Sequence, residues 1–232
     1  MATLVFDLDG TLADTAEDLV AALNAALAGA GYGPVPLELA RPQAGNGSAA
    51  LIRLGLLFHG ADPAQAPLDK MRADFLDYYE ANIAAFSRPY EGVPETLEQL
   101  ADGGWRLAIC TNKPENLARR LLDELSLTGL FGSIVGGNTY PRPKPDALPV
   151  LGAIRRAGGE PCKAIMIGDT ATDIAAAKAA QIPVIAVDFG YASVPVADLS
   201  PDRVISAFAD LAAAVETLGI TARPHGQVCS QP

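Results

Sequence analysis

Two aspartates near the N-terminus are the first residues whose spacing points to chemistry. Asp7 and Asp9 directly follow the apolar run Leu4 to Phe6, and Gly10-Thr11 come next. Residues two apart in a strand point the same way, so this strand would deliver two carboxylates to one place. Two buried like charges are costly unless a cation or hydrogen-bond donors compensate for them. A hard divalent cation such as Mg2+, which prefers oxygen ligands, is the expected partner.

Two other structures also use an Asp-x-Asp-Gly sequence, namely calcium-binding loops and polar turns. A calcium loop requires a glycine where Leu12 stands and a closing glutamate where Asp18 stands. These mismatches count against a calcium loop. These residues alone do not exclude a polar turn after a strand.

Three further polar clusters follow strand-like apolar runs or lie just beyond them. They are Thr111-Asn112, Lys144, and the pair Asp169 and Asp173. Because ligands of parallel sheets bind at the carboxyl ends of the strands, we expect these clusters to converge with the first two aspartates. Carboxylates gather a metal ion, a hydroxyl and amide groups bind anion oxygens, and a lysine offsets the remaining negative charge. This set of groups fits phosphoryl transfer.

The elements that must position these residues belong to the α/β class. Short apolar runs alternate with helical patterns, which predicts a Rossmann-like parallel sheet with helices on both faces. The last helix is predicted over about Ala207 to Leu218. The predicted strands are about Thr3 to Asp7, Leu107 to Cys110, Ser133 to Gly136, Ala164 to Ile167 and Val184 to Val187.

The segment between the first strand and the rest of the sheet has a helical pattern only. Leu19, Leu23 and Leu27 recur at four-residue steps, and a later helix is predicted over about Leu68 to Phe86. We therefore predict an all-helical cap domain inserted into the core. The predicted boundaries are 1–14 and 89–220 for the core, 15–88 for the cap and 221–232 for a disordered tail.

Composition narrows the possible partners of the protein. The chain of 232 residues has a net charge of −10, which argues against nucleic acid because phosphate backbones need a basic surface. Its apolar stretches are too short for a membrane span, and the N-terminus lacks a signal-peptide pattern. We therefore expect a cytoplasmic protein with no membrane or nucleic-acid partner. The sequence does not determine whether the protein is a monomer or a homodimer.

The polar clusters together resemble, in order, the four motifs of the haloacid dehalogenase-like phosphohydrolases. The matching stretches are Asp7-Leu8-Asp9-Gly10-Thr11, Thr111-Asn112-Lys113, Lys144 and Gly168-Asp169-x-x-x-Asp173. The helical insert after the first motif is similar to the cap of the subgroup that contains phosphoglycolate phosphatases. Three stretches also resemble that subgroup, namely Gly45-Asn46-Gly47 in the cap, Thr111-Asn112-Lys113-Pro114 and Lys144-Pro145.

The resemblance implies a catalytic role for each aspartate. Asp7 would attack phosphorus and form an aspartyl-phosphate, while Asp9 would protonate the leaving alkoxide and later deprotonate water. Mg2+ would be held by the Asp7 carboxylate, the Asp9 backbone carbonyl and Asp169. Asp173 would lie behind these ligands and orient Lys144 or a water molecule at the metal.

The resemblance also implies how substrate is bound. The Thr111 hydroxyl and the Asn112 backbone N–H would hold phosphate oxygens, and Lys144 would offset their charge. In the cap, Arg41 and the turn Gly45-Asn46-Gly47 are candidates to contact the other end of the substrate.

These roles imply a Mg2+-dependent phosphatase for a small phosphorylated metabolite, with 2-phosphoglycolate as the favoured substrate. Asp9 favours cleavage of phosphate esters, because an alkoxide leaving group needs a proton. Ala44 stands where that subgroup carries a bulkier apolar residue, which weakens the substrate assignment. A phosphatase for a sugar phosphate, pyrophosphate or a nucleotide, a sugar phosphomutase and a non-catalytic phosphometabolite sensor remain alternatives.

Overall fold

The structure is a computed structural model, and it describes residues 1–222. In chain order its strands and α-helices are β1 (Thr3–Phe6), β2 (Ala13–Asp14), α1 (Ala16–Gly29), α2 (Leu37–Ala40), α3 (Ser48–Phe58), α4 (Leu68–Ala81), β3 (Arg88–Pro89), α5 (Val93–Asp102), β4 (Arg106–Cys110), α6 (Glu115–Glu124), β5 (Ser133–Val135), α7 (Ala147–Arg156), β6 (Ala164–Gly168), α8 (Ala171–Ala179), β7 (Val184–Val187), β8 (Arg203–Ile205) and α9 (Leu211–Glu216). Short 3-10 helices connect several of these elements, among them Arg41–Asn46 and Phe208–Asp210.

A six-stranded parallel sheet forms the core, in the order β5-β4-β1-β6-β7-β8. Strand β1 lies in its interior, where Phe6 is paired with Ile109 of β4 and Ile167 of β6. The carboxyl ends of these three strands therefore lie side by side. The predicted α/β class is confirmed. The sequence did not predict β8, a short strand in which Arg203 and Val204 are exposed.

Both faces of the sheet are covered by helices, as expected for parallel strands. Leu4 and Phe6 belong to one apolar cluster, whereas Val5 belongs to the other, so alternate residues of β1 face opposite sides. Helices α7 and α8 cover the Val5 side, and α5 and α6 contact the sheet on the other. The last predicted helix is shorter than expected, because a 3-10 helix, Phe208–Asp210, precedes α9.

Helices α1 to α4 form the inserted helical cap that the sequence predicted. Helix α1 lies at its centre and contacts α3 and α4, with Leu19, Leu23 and Leu27 all buried. The expected extent of α4 is wrong: it ends at Ala81 rather than at Phe86. Beyond its end, the Phe86 N–H donates a hydrogen bond to the Asp18 carboxylate of α1, which competes with continued helix.

The two connections between cap and core run next to each other. Strands β2 and β3 pair in antiparallel fashion, with Ala13 opposite Pro89 and Asp14 opposite Arg88. The boundaries between cap and core stay a prediction. The tail predicted at 221–232 lies, from residue 223 onward, outside the described residues. No helix within the described range is both long enough and apolar enough to cross a membrane.

Candidate active site

Asp7 lies directly after β1 and is buried beneath the cap. Its N–H donates a 2.9 Å hydrogen bond to the Ile167 carbonyl of β6, so the sheet itself fixes the backbone here. Lys144 Nζ lies 2.9 Å from Asp7 Oδ1, although this oxygen accepts no hydrogen bond of good geometry. Burial, reinforced by the nearby Asp173 carboxylate, raises the pKa of Asp7 to about 7 despite the favourable charge of Lys144.

Asp7, Asp169 and Asp173 form a buried acidic cluster in which carboxylate oxygens lie within 4.8 Å of one another. Burial and then repulsion from Asp173 and Asp7 raise the pKa of Asp169 well above its usual value. Carboxylate oxygens are the ligands that hard divalent cations prefer, and such a cation would relieve the repulsion. These residues therefore fit a divalent metal ion.

The Asp169 carboxylate is held on both oxygens. Thr11 Oγ1 donates a 2.7 Å hydrogen bond to Oδ1, and the Tyr191 N–H donates one of 2.7 Å to Oδ2. Gly10 has a φ of +84°, and a Cβ at this position would overlap the Asp169 carboxylate. Only glycine fits this turn. Sequence reasoning missed Tyr191, because nothing local marks a residue that contacts Asp169 through its backbone.

Asp173 is also fully engaged by hydrogen-bond donors. Lys144 Nζ donates a 2.6 Å hydrogen bond to Oδ1, while the Thr170 N–H and hydroxyl donate to Oδ2 at 3.0 and 2.6 Å. Burial alone would lower the pKa of Lys144, but the carboxylates of Asp173 and Asp7 outweigh it and raise the pKa. These contacts are consistent with the expected orienting role of Asp173, which stays a prediction.

The Asp9 side chain has different partners from that of Asp7. Its Oδ1 accepts 2.7 Å hydrogen bonds from Thr15 Oγ1 and from Lys113 Nζ. Lys113 is buried, and its ammonium lies 4.5 Å from the ring centroid of Tyr79 in the cap. Sequence reasoning did not assign Lys113 a role, although it belongs to the stretch Thr111-Asn112-Lys113. Its position two residues after Thr111 was the available signal.

Asn112 uses its side chain to fix the loop that carries Lys144. Its Nδ2 donates to the Lys144 carbonyl and its Oδ1 accepts from the Lys144 N–H, both at 3.0 Å. The sequence suggested only the backbone N–H of Asn112 as a functional group. Thr111 follows β4 directly, and its Oγ1 accepts a 3.1 Å hydrogen bond from the Lys113 N–H.

A cavity of about 290 Å³ lies between core and cap and brings most of the predicted residues together. From the core it is lined by Asp7, Asp9, Thr111 and Asn112, and from the cap by Gly45, Asn46 and Gly47. Lys144 and Asp173 are buried next to Asp7, behind the cavity wall.

Arg41 is the predicted site residue that the structure places elsewhere. Its guanidinium makes a bidentate ion pair with Asp14, with N–O distances of 3.0 to 3.2 Å. It also lies 5.9 Å from the ring centroid of Tyr191, whose hydroxyl donates to Asp14 at 2.8 Å. Arg41 is not among the residues that line the cavity. This geometry gives no support to a substrate contact by Arg41.

The chain is similar to proteins of known family. Residues 4–187 match the sequence model of the family described as haloacid dehalogenase-like hydrolase. A phosphoglycolate phosphatase from Agrobacterium fabrum is 44% identical over 211 residues, which cover 91% of each chain. A phosphoglycolate phosphatase from Caulobacter vibrioides is 43% identical, over 94% of this chain and 92% of that protein.

A solved structure has the same fold. The crystal structure of a predicted phosphoglycolate phosphatase from Haemophilus somnus superimposes with a TM-score of 0.85. The two chains are 30% identical, and the match covers 92% of this chain and 97% of the other.

Proposed function

The chain belongs to the haloacid dehalogenase-like hydrolase family and is a phosphatase, and we propose that it hydrolyses 2-phosphoglycolate with the aid of Mg2+. The observation that carries this proposal is the position of Asp7. At one edge of the sheet, the buried carboxylate of Asp7 lies beside the ammonium of Lys144 and belongs to the acidic cluster. The two relatives named phosphoglycolate phosphatase support the choice of substrate.

The size of the cavity supports a small substrate. Its volume of about 290 Å³ lies just below the range of about 300–1,000 Å³ that is typical of ligand-binding pockets. A molecule with one phosphate and a short carbon chain fits that space. A nucleotide would have to extend beyond the cavity.

In the first half of the reaction, a carboxylate oxygen of Asp7 attacks phosphorus, and the bond from phosphorus to the ester oxygen breaks. The leaving alkoxide takes a proton from Asp9, whose side chain is kept in place by Thr15 and Lys113. Thr111 and the Asn112 N–H hold phosphate oxygens, and Lys144 offsets their charge. The metal ion, held by Asp7, Asp169 and the Asp9 carbonyl, would supply further stabilisation of the negative charge on phosphate.

In the second half, Asp9 is ionised and takes a proton from a water molecule that attacks phosphorus. The bond between phosphorus and the Asp7 oxygen breaks, which releases inorganic phosphate and restores the carboxylate. The hydrogen bonds to both Asp173 oxygens keep Lys144 beside Asp7 throughout. The cap limits the access of other nucleophiles to this site.

The proposal is tested by measuring phosphate release from a panel of small phosphate esters, with Mg2+ and with a chelator. The panel includes 2-phosphoglycolate, a sugar phosphate, pyrophosphate and a nucleotide. We expect metal-dependent release with the highest kcat/KM for 2-phosphoglycolate, and no release by the Asp7→Asn variant. A higher kcat/KM for another ester would retain the chemistry and reject this substrate. Activity that persists in chelator would reject the role of the metal.

A further inference from the structure

One face of helix α4 forms part of the cavity wall. Arg72, Phe75, Leu76 and Tyr79 all line the cavity. Their spacing of three and four residues places them on one side of the helix. Arg72 therefore lies on the face of α4 that also carries the buried residues Phe75 and Tyr79.

Within residues 1–222, the charged residues that line the cavity differ in whether they have an oppositely charged partner. Lys113 is paired with Asp9, and Asp7 lies beside Lys144. Arg72 is the remaining charged residue of the lining, and within residues 1–222 it has neither an ion pair nor a side-chain hydrogen bond. It is also exposed, so its charge is available to a ligand that enters the cavity.

One further feature makes this wall suitable for an anion. Helix α3 starts next to the cavity at Ser48 without a side-chain cap, because Gly47 precedes it, so its first-turn N–H groups add partial positive charge. The wall formed by the cap thus offers a cation and the N–H groups at the start of α3.

We propose that Arg72 binds the carboxylate of the substrate and thereby selects phosphate monoesters that carry a carboxylate close to the phosphate. This inference rests on the proposed function, in which the phosphate group occupies the site of Asp7, Thr111 and Lys144. The carboxylate then points towards the cap, where Arg72 is the one charged lining residue within residues 1–222 that has no ion pair. An arginine can bind a carboxylate in a bidentate manner, which supplies both charge and orientation.

The test compares two substrates of equal length in the wild type and in Arg72→Gln. These are 2-phosphoglycolate and 2-hydroxyethyl phosphate, in which a neutral CH2OH group replaces the carboxylate. We expect Arg72→Gln to lower kcat/KM for 2-phosphoglycolate by about 10- to 100-fold, mainly through KM, because a charged hydrogen bond is lost. The value for 2-hydroxyethyl phosphate should change less than about twofold, since that ester makes no such contact.

Two other variants serve as controls. Arg53→Gln removes an exposed arginine from helix α3 that does not line the cavity, so both substrates should behave as in the wild type. Arg72→Lys keeps the positive charge without the planar fork, so it should recover part of the activity on 2-phosphoglycolate.

The possible outcomes separate this inference from the proposed function. If the wild type prefers 2-phosphoglycolate and Arg72→Gln affects both esters equally or neither, the inference is wrong and the proposed function stands. If another carboxylate-bearing phosphate ester is the best substrate and Arg72→Gln removes that preference, the inference stands and the proposed substrate is wrong. A wild type without any preference for the carboxylate would overturn both.

Discussion

The core wall and the cap wall of the cavity differ in how tightly their polar groups are held. On the core side, Asp7 lines the cavity and is buried, and contacts of 2.6 to 2.9 Å link it to Lys144 and Asp173 behind the wall. On the cap side, Asn46 and Arg72 are exposed, and within residues 1–222 the Asn46 amide donates a hydrogen bond only to Gln43, three residues earlier. Interactions shielded from water are much stronger than exposed ones. The groups that would perform the reaction are thus fixed in advance, whereas those that would select the substrate remain free to bind it.

The tightly held wall carries a cost in stability. The raised pKa of Asp7 means that burial disfavours its charged form, which is the form that a nucleophile needs. A bound cation would offset this cost. The cap wall bears no comparable cost, because its charged group remains in contact with water.

The largest expected effect is that of Asp7→Asn on turnover. An amide cannot attack phosphorus, so we expect kcat for 2-phosphoglycolate to fall by about 10⁴-fold or more. Phosphate release in the presence of Mg2+ measures the effect. A residual rate within tenfold of the wild type would mean that Asp7 is not the nucleophile and that the core wall has another role.

The next effect is that of Lys113→Met on both stability and turnover. Lys113 forms a buried ion pair with Asp9, so its removal leaves a buried carboxylate short of a partner and should cost about 3 kcal/mol of unfolding free energy. We expect kcat to fall as well, because Asp9 loses one of its two fixed donors.

Urea unfolding and steady-state kinetics measure the two effects of Lys113→Met. Lys70→Met is the matched control, since Lys70 pairs with Asp74 on the exposed surface of the cap. It should cost less than about 0.5 kcal/mol. Equal losses of stability in the two variants would contradict the distinction between buried and exposed charge pairs.

A smaller effect concerns the pH dependence of stability without metal. The pKa of Asp7 is raised from 3.8 to about 7 in the folded state, so its contribution to stability is present below pH 3.8 and is lost as pH rises through about 7. Asn at this position does not titrate. In EDTA, the unfolding free energy of Asp7→Asn minus that of the wild type should therefore increase by about 1–3 kcal/mol as the pH is raised from 5 to 8.

Urea unfolding of both proteins at the two pH values measures this difference. If the difference in unfolding free energy between Asp7→Asn and the wild type were independent of pH, Asp7 would not carry the cost that its burial implies. Repetition with Mg2+ should reduce the gain, because a cation favours the ionised carboxylate.

The smallest effect is expected for Arg41→Ala. The ion pair of Arg41 with Asp14 is more than one-third exposed on both sides, so its loss should cost less than about 1 kcal/mol. The KM for 2-phosphoglycolate should remain within twofold of the wild type, since Arg41 does not line the cavity. A tenfold rise in KM would indicate that Arg41 contacts the substrate. Arg41 and Arg72 would then no longer differ in this respect.

Much of this protein is determined by local patterns in its sequence. The parallel sheet follows from short apolar runs, such as those before Asp7 and Thr111, that alternate with helices. The order of these runs places Asp7, Thr111 and Asp169 at one edge of the sheet, because parallel strands end on the same side. The helical cap follows from the periodic leucines of α1. Helix ends are less well predicted, as the early end of α4 illustrates, since a tertiary contact with Asp18 decides it.

Only the tertiary structure decided which residues partner these groups. Lys113 and Asp9 are 104 residues apart, and Asn112 and Lys144 are 32 apart, so no local pattern marks either pair. The same holds for the two arginines of the cap. Arg41 was the candidate from the sequence, yet folding pairs it with Asp14, while the face of α4 brings Arg72 to the cavity. Sequence patterns report the local preferences of the backbone, whereas the partners of a charged side chain depend on which distant segments pack beside it.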